Sequence, residues 1–137
     1  GCKTEGAVHT FTKEERLRSR LLIDRIFADG SSFFLFPLAI HYLELPAGTL
    51  PFPAQMTISV AKKRFKRAVD RNLLKRRLRE LYRLNKANFY TDLNNCNKQV
   101  VFLVSYSAKE IMTTEQLAPK LVPALDRLVK ELNRQEA

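Results

Sequence analysis

The sequence has few of the residues that define several common protein classes. Its two cysteines, Cys2 and Cys96, lie far apart among 137 residues, tryptophan is absent, and the four glycines are isolated. A zinc cluster or a disulfide framework needs closely spaced or more numerous cysteines, and phosphate-binding loops need clustered glycines. These absences argue against a zinc-stabilised fold, a disulfide-rich fold and the common nucleotide-binding motifs.

Long hydrophobic runs are also lacking. The longest, around Val100–Val104, is far shorter than the about 18 apolar residues that span a bilayer, and the first residues have no apolar segment typical of a signal peptide. We therefore predict a cytoplasmic protein with no membrane partner. The hydrophobic content of 45% suits one domain with a modest core, which we expect at residues 11–137 after a flexible tail at 1–10.

Acidic residues are scarce in residues 62–86. This segment holds 12 of the 24 lysines and arginines but only Asp70 and Glu80, so it carries the whole net charge of +10. A solvated helix face is normally stabilised by pairs of opposite charge, and two acids cannot pair with twelve cations. A membrane-surface helix is disfavoured because the apolar residues here are leucine and valine rather than bulky aromatics. The segment predicts binding to nucleic acid.

Hydrophobic periodicity predicts six elements in the order α-β-β-α-β-α. A capping box at Thr12 and Glu15 begins the first helix. Pro37 is expected to break or bend the first strand, while Pro119 and Pro123 should bend the last helix or delay its start. The segments are 13–28, 33–45, 55–60, 67–86, 99–104 and a helix from about 113. This pattern predicts an α+β sandwich in which residues 100–104 form a strand buried on both faces.

The basic helix is predicted to have two faces. At about 100° per residue, we expect its apolar face to pack on the sheet and its cations to face solvent. The apolar face comprises Val69, Leu73, Leu74, Leu78, Leu81 and Leu84. The outer face comprises Arg71, Asn72, Lys75, Arg76, Arg79, Arg83 and Lys86.

The sequence AVDRNLLKRRLRE at 68–80, preceded by SVAKK at 59–63, resembles the signature of the bacterial ribonuclease P protein component. In that family a Ser-Val-x-Lys-Lys strand end leads into an Ala-Val-x-Arg-Asn-Arg-x-Lys-Arg helix. The spacing of Arg16, Phe27 and Gly30 is also similar, and the element order agrees over roughly residues 11–133.

Two positions depart from the family pattern. Leu73 replaces the second arginine of the signature and is expected to point toward the core, and Arg77 is a candidate to compensate for it. Ile23 stands where the family often has an aromatic residue, which weakens a stacking role at that position.

The resemblance implies the ribosomal protein S5 domain 2-like sandwich, with a left-handed crossover. It also implies the protein subunit of a ribonucleoprotein that removes the 5′ leader from precursor tRNA. In that family the RNA subunit and its Mg²⁺ ions carry out catalysis, so no catalytic residue and no metal site is expected in the protein. The implied partners are ribonuclease P RNA and precursor tRNA, with no obligate protein partner.

The site residues follow from the same resemblance. Phe27 is as easily a core residue as a stacking platform. His41 fits a strand residue with a satisfied ring better than it fits a catalyst. Phe33, Phe34 and Phe36 are expected to be mainly core and bent-strand packing, with RNA contact by any one of them as the less favoured alternative. The residues expected to hold the leader are Phe27, His41, Tyr42 and Arg16. Those expected to contact the catalytic RNA are Lys62, Lys63, Arg64, Arg67, Arg71, Asn72, Lys75, Arg76, Arg79 and Arg83.

A protein-borne active site is not evident. Phosphodiester hydrolysis by a protein needs clustered carboxylates or a histidine pair, whereas His9 and His41 are far apart and Asp24 and Asp29 would lie on different helix faces. Glu15 is interpreted as a charge that favours the dipole of the first helix. The alternative function is a non-catalytic RNA-binding module associated with tRNA or the ribosome. A protein-only nuclease has the least support.

Overall fold

The structure, a computed structural model, describes residues 15–50 and 52–134. Within these ranges three helices and four strands form one α+β domain, which confirms the predicted fold class. The predicted tail at 1–10 and the proposed cap Thr12 lie outside the described residues. The elements are α1 Arg20–Asp29, β1 Ser31–Leu35, β2 Leu38–Leu45, β3 Ala54–Val60, α2 Ala68–Cys96, β4 Gln99–Tyr106 and α3 Thr114–Arg134.

The four strands form one sheet in the order β1-β2-β4-β3. The central strand β4 pairs antiparallel with β2 and parallel with β3. Phe102 belongs to the core on the α2 and α3 side, whereas Val101 belongs to a second core with α1. Residues 100–104 are all buried, as predicted, because helices cover both faces. The parallel β3-α2-β4 connection is the expected crossover, and its left hand stays a prediction.

Residues 31–45 form a hairpin rather than one bent strand, so the element order is α-β-β-β-α-β-α. Ser32 pairs with His41, and Phe34 pairs with Ala39. The turn between the strands contains Pro37, which follows a cis peptide bond. Proline has no N–H to donate to a strand pair, so β1 ends before it. Of the two predicted alternatives, the break is confirmed and the bend is wrong.

Helix α1 begins later than the capping box predicted. Ser19 is its N-cap, and the Ser19 hydroxyl accepts a hydrogen bond from the Leu22 N–H at 3.3 Å. Upstream, the Leu17 N–H donates to the Met56 carbonyl at 2.9 Å, and Arg16 forms a parallel bridge with Met56. Burial of Leu17 beside β3 therefore outweighs the local capping pattern.

Helix α1 ends at Gly30, as predicted. The Gly30 N–H donates to the Ile26 carbonyl at 2.9 Å. A Cβ at Gly30 would lie 2.3 Å from the Tyr42 carbonyl oxygen and 2.4 Å from that of Ile26. Only glycine fits between the end of α1 and strand β2.

Helix α2 starts as predicted but continues to Cys96, ten residues beyond the predicted end. It stops at Asn97, which adopts a left-handed conformation with φ of 56°. The added turns contribute Phe89 and Leu93 to the core, and they rotate the centre of the buried face. Val69 and Leu84, predicted on the apolar face, are therefore exposed. The buried residues of α2 are Leu74, Leu78, Leu81, Tyr82, Lys86, Phe89 and Leu93.

Helix α3 includes both prolines, so Pro119 and Pro123 do not delay its start. Thr113 and Gln116 form a reciprocal cap, with the Gln116 N–H donating to the Thr113 hydroxyl at 3.2 Å and the Thr113 N–H donating to Gln116 Oε1 at 2.9 Å. The predicted apolar face is buried against the sheet and α2, and it comprises Leu117, Leu121, Leu125, Leu128 and Leu132.

Candidate nucleic-acid interface

The loop between β3 and α2 holds three exposed cations on a fixed turn: Lys62, Lys63 and Arg64. Phe65 ends this turn and is buried against Tyr106, with ring centroids 5.9 Å apart. The anchor fixes the backbone of the loop, while the cationic side chains extend into solvent.

Arg71 supports this loop from the first turns of α2. Its Nη1 donates to the Phe65 carbonyl at 2.8 Å and to the Lys66 carbonyl at 3.0 Å. Arg71 is half-buried, so it lies at the edge of the exposed cationic face. Both hydrogen bonds come from Nη1, so the Arg71 guanidinium positions the loop without using the N–H groups of Nε and Nη2.

The exposed face of α2 carries most of the predicted RNA contacts. Asn72 and Arg76 are exposed, and Arg67 lies 4.0 Å from Asp70. Arg83 forms an ion pair with Glu80, which raises the pKa of Arg83 and lowers that of Glu80. The charge of Arg83 is therefore partly compensated within the helix.

A depression of about 250 Å³ brings four cations together from two segments of the chain. Lys75 and Arg79 come from α2, Arg16 and Arg18 come from the segment before α1, and Thr57 of β3 contributes to the floor. None of the described residues that line it is acidic. Burial lowers the pKa of the Arg79 guanidinium, and the neighbouring charges of Arg16 and Arg76 lower it further. Such crowding of like charges favours binding of an anion.

Arg16 was assigned to the leader, but the structure places it in this depression with Lys75 and Arg79. Arg18 was missed because residues 13–28 were expected to be helical, and residues two apart in a helix point in different directions. In the observed extended segment before Ser19, residues 16 and 18 lie on the same side. The alternation of Arg16, Leu17 and Arg18 is the sequence signal for an extended segment with both arginines on one side.

The segment before α1 is fixed by a buried ion pair. Lys86, predicted on the outer cationic face, is 3% exposed and forms an ion pair with Glu15, which is 1% exposed. The Tyr90 hydroxyl donates to Glu15 Oε2 at 2.5 Å, and burial raises the pKa of Tyr90 so that it stays protonated. Glu15 therefore attaches the chain to α2 instead of favouring a helix dipole, and it positions Arg16.

A pair of aromatic rings lies on the α1 face of the sheet. The Phe27 side chain is 59% exposed, and its ring centroid lies 5.2 Å from that of half-buried His41. The prediction that Tyr42 helps to hold the leader is wrong, because Tyr42 points to the other face of the sheet and packs against Phe33 in the core. Successive residues of a strand point to opposite faces, so of these two candidates only His41 lies on the α1 face of the sheet.

The family assignment rests on the match of most of the chain. The sequence model of the family described as Ribonuclease P matches residues 11–129. The chain belongs to the ribonuclease P protein family. A ribonuclease P protein component from Porphyromonas gingivalis is 45% identical over 83 residues, which are 61% of this chain and 60% of that relative. The aligned region thus spans less than two thirds of that relative's length.

Three further relatives cover more of the chain. The ribonuclease P protein component of Chlorobaculum tepidum is 30% identical over 139 residues, covering 96% of this chain and 84% of the relative. The solved structure of the ribonuclease P protein from Thermotoga maritima superimposes with a TM-score of 0.65 at 27% identity, covering 82% of this chain and 96% of that one. That of Staphylococcus aureus, with a TM-score of 0.64 at 23% identity over 85% of this chain and 96% of that one, has the same fold.

The departure of this chain from the ribonuclease P signature is visible in the structure. Leu73 is half-exposed and lines a surface groove with Asn72 and Arg76, so the prediction that it points to the core is wrong. Arg77 does not replace the missing arginine, because its Nη1 donates to the Met112 carbonyl at 2.6 Å. The ribonuclease P signature therefore has one cation fewer here, with an apolar side chain in its place.

The described residues of this ribonuclease P family member contain neither a metal-ligand cluster nor a helix that could span a membrane. In residues 15–50 and 52–134, no three His, Cys, Asp or Glu side chains lie together as ligands of a metal ion would. None of the helices in those ranges is long and apolar enough to cross a membrane.

Proposed function

We propose that this chain is the protein subunit of ribonuclease P and promotes removal of the 5′ leader from precursor tRNA. The observation that carries the proposal is the depression lined by Arg16, Arg18, Lys75 and Arg79. Four cations around one cavity, without a lining acid among the described residues, suit the phosphates of an RNA backbone. Membership of the ribonuclease P family supports RNA as that polyanion.

The catalytic RNA would contact the β3–α2 loop and the exposed face of α2. Lysine and arginine contacts to phosphates give affinity that is independent of sequence and sensitive to salt. Arg71 would act mainly by holding the loop, because it donates to the Phe65 and Lys66 carbonyls. The proposed contacts are Lys62, Lys63, Arg64, Arg67, Asn72, Lys75, Arg76, Arg79 and Arg83.

The 5′ leader would lie on the α1 face of the sheet. Phe27 and His41 expose adjacent rings, and single-stranded RNA is commonly held by stacking of its bases on such side chains. Arg16 would contact a phosphate where the leader passes the cation-lined depression. Tyr42 is left out because it is buried on the other face.

Catalysis would belong to the RNA subunit and to Mg²⁺ ions that the RNA, rather than a protein site, would hold. The protein would contribute by binding and orienting the two RNAs, acting in the cytoplasm and without an obligate protein partner. The same basic surface would also serve a tRNA- or ribosome-associated module that has no linked reaction.

Cleavage of a 5′-extended precursor tRNA at low Mg²⁺ tests the proposal. The protein alone, a bacterial ribonuclease P RNA alone and the mixture are compared. We expect stimulation in the mixture only. Binding of both RNAs without stimulation would favour the non-catalytic module, and cleavage by the protein alone would show an active site in the protein.

The Phe27→Ala variant tests the leader site within the same assay. We expect weaker binding of precursor tRNA by the reconstituted enzyme, unchanged binding of mature tRNA, and unchanged affinity for the catalytic RNA. Leu21→Ala is the matched control, because Leu21 is an exposed apolar residue on another side of the same helix. Equal losses for precursor and mature tRNA would remove Phe27 from the leader site.

A further inference from the structure

Two aromatic rings at the tip of the β1–β2 hairpin are exposed although they were expected to be core. Phe34 and Phe36 are 55% and 56% exposed, and their ring centroids lie 6.2 Å apart in an edge-to-face arrangement. Phe33, the residue before Phe34 in β1, is buried instead: it packs against Tyr42 and lies under the Arg127 guanidinium. Exposed aromatic pairs of this kind commonly mark binding surfaces.

The register of the hairpin places these rings beside the proposed leader site. Ser32 pairs with His41 and Phe34 pairs with Ala39, so Phe34 and His41 are diagonal neighbours on one face of the sheet. Diagonal neighbours have Cα atoms about 7–8 Å apart, a separation that aromatic side chains can bridge. Phe27 continues the line on the other side of His41.

Two pairs of rings, Phe27–His41 and Phe34–Phe36, therefore form a row from α1 across β2 and β1 to the hairpin tip. The step from His41 to Phe34 in this row rests on the strand register. The two measured steps in this row, 5.2 Å and 6.2 Å, are short enough for successive bases of one strand to meet successive rings. Because every base has a π-face, such a row binds without strong sequence preference.

We propose that Phe34 and Phe36 extend the leader-binding surface and stack on the nucleotides of the 5′ leader beyond those that contact Phe27 and His41. The inference rests on the proposed function. Two features favour single-stranded RNA over an apolar protein segment as the occupant. Phe34 lies on the same face of the sheet as His41, one diagonal step away in the strand register, and residues 62–86 of the same protein carry a net charge of +10 that attracts a polyanion to the molecule.

A series of precursor tRNAs with leaders of increasing length tests the proposal in the enzyme reconstituted with ribonuclease P RNA. For the wild-type protein we expect affinity to rise with leader length and then reach a plateau. The double variant Phe34→Ala/Phe36→Ala should bind the shortest leaders like wild type but the long ones about 30-fold more weakly, the low end for the loss of two base–aromatic stacks. Its plateau should come at a leader about two nucleotides shorter.

Three comparisons make the result specific. Phe27→Ala should already lose affinity with short leaders. Phe34→Tyr/Phe36→Tyr keeps both rings and should restore the wild-type length dependence. Val122→Ala removes an exposed apolar side chain from α3, on the opposite side of the sheet, and should behave like wild type.

Three outcomes would overturn the inference, and they differ in what else they reject. A wild-type length dependence that the double alanine variant leaves unchanged would reject the role of Phe34 and Phe36 while the proposed function stands. An absence of any length dependence in the wild-type enzyme would reject the leader site itself. If the free protein sediments as a dimer and the double variant as a monomer, with equal affinities for long leaders, the hairpin tip is a surface for self-association.

Discussion

At the scale of single residues, the ion pair of Glu15 and Lys86 decides where the cationic surface begins. Both side chains are almost fully buried, and Tyr90 adds a hydrogen bond to Glu15. Neither residue is recognisable as buried from the sequence, because the charges lie 71 positions apart and each fits a surface helix locally. Their pairing brings Arg16 next to α2.

Removal of one partner should be costly because it leaves the other charge buried without compensation. Glu15→Gln is expected to lower the free energy of unfolding by about 3–5 kcal/mol. The double variant Glu15→Gln/Lys86→Met should lose less than the sum of the two single variants, as measured by urea unfolding. Strictly additive losses would mean that the two side chains do not interact in solution.

The charge of Lys75 is expected to act on RNA directly. If Lys75 contacts one phosphate, Lys75→Ala should reduce the slope of log affinity against log salt concentration by about 0.7 to 0.9. Arg77→Ala removes the same charge from the same helix, but Arg77 is hydrogen-bonded to the Met112 carbonyl. The slope should therefore be unchanged in Arg77→Ala when both variants are titrated with catalytic RNA. Equal slopes in the two variants would reject the phosphate contact of Lys75.

At the scale of elements, local patterns predicted which segments are helix or strand better than they predicted the ends. The start of α2 and the end of α1 at Gly30 were predicted correctly, because the charge run and the glycine are local signals. The start of α1 was wrong, since pairing of residues 16–17 with Met56 is a long-range contact. A break at Pro37 was one of the two predicted alternatives, but the pairing of the two halves as a hairpin was not predicted, because the two short strands share one apolar composition.

Gly30 joins α1 to the sheet and thereby sets the position of Phe27. In Gly30→Ala the added Cβ would overlap the Tyr42 and Ile26 carbonyl oxygens, so α1 must move away from β2. We expect a loss of about 1–3 kcal/mol in the free energy of unfolding, the usual cost of overpacking. Leader-dependent affinity should fall as well, whereas affinity for the catalytic RNA should change little.

The exposed Ala28 provides the control for Gly30→Ala. Ala28→Gly removes a methyl group from a nearby position of α1, whereas Gly30→Ala adds one. It should cost about 0.5–1 kcal/mol through helix propensity alone and leave the leader dependence unchanged. A Gly30→Ala variant as stable as wild type in urea unfolding would contradict the close approach of α1 and β2.

At the scale of the whole molecule, the sequence was sufficient to locate the charge but not the cavities. The net charge of +10 lies in residues 62–86, and the structure places most of these cations on one loop and one helix face. The depression also needs Arg16 and Arg18, which are remote in sequence, and the row of rings needs the hairpin register. Both features depend on long-range pairing, which periodicity does not report.

The crowded cations should make folding of the free protein depend on anions. Four cations line one depression, and burial together with the neighbouring charges of Arg16 and Arg76 lowers the pKa of Arg79. A bound sulfate or phosphate relieves this repulsion in the folded state only, and it should add about 1.4 kcal/mol of stability at ten times its Kd. Urea unfolding in sulfate and in chloride at equal ionic strength measures the effect.

Arg79→Gln separates this binding from the general stabilising action of sulfate. A general effect comes from exclusion of sulfate from the protein surface and acts equally on both proteins. Binding in the depression predicts that Arg79→Gln gains clearly less stability from sulfate than wild type does, because one of the four cations is gone. An identical gain in the two proteins would show that the depression does not bind anions, and it would weaken the assignment of Lys75 and Arg79 to RNA phosphates.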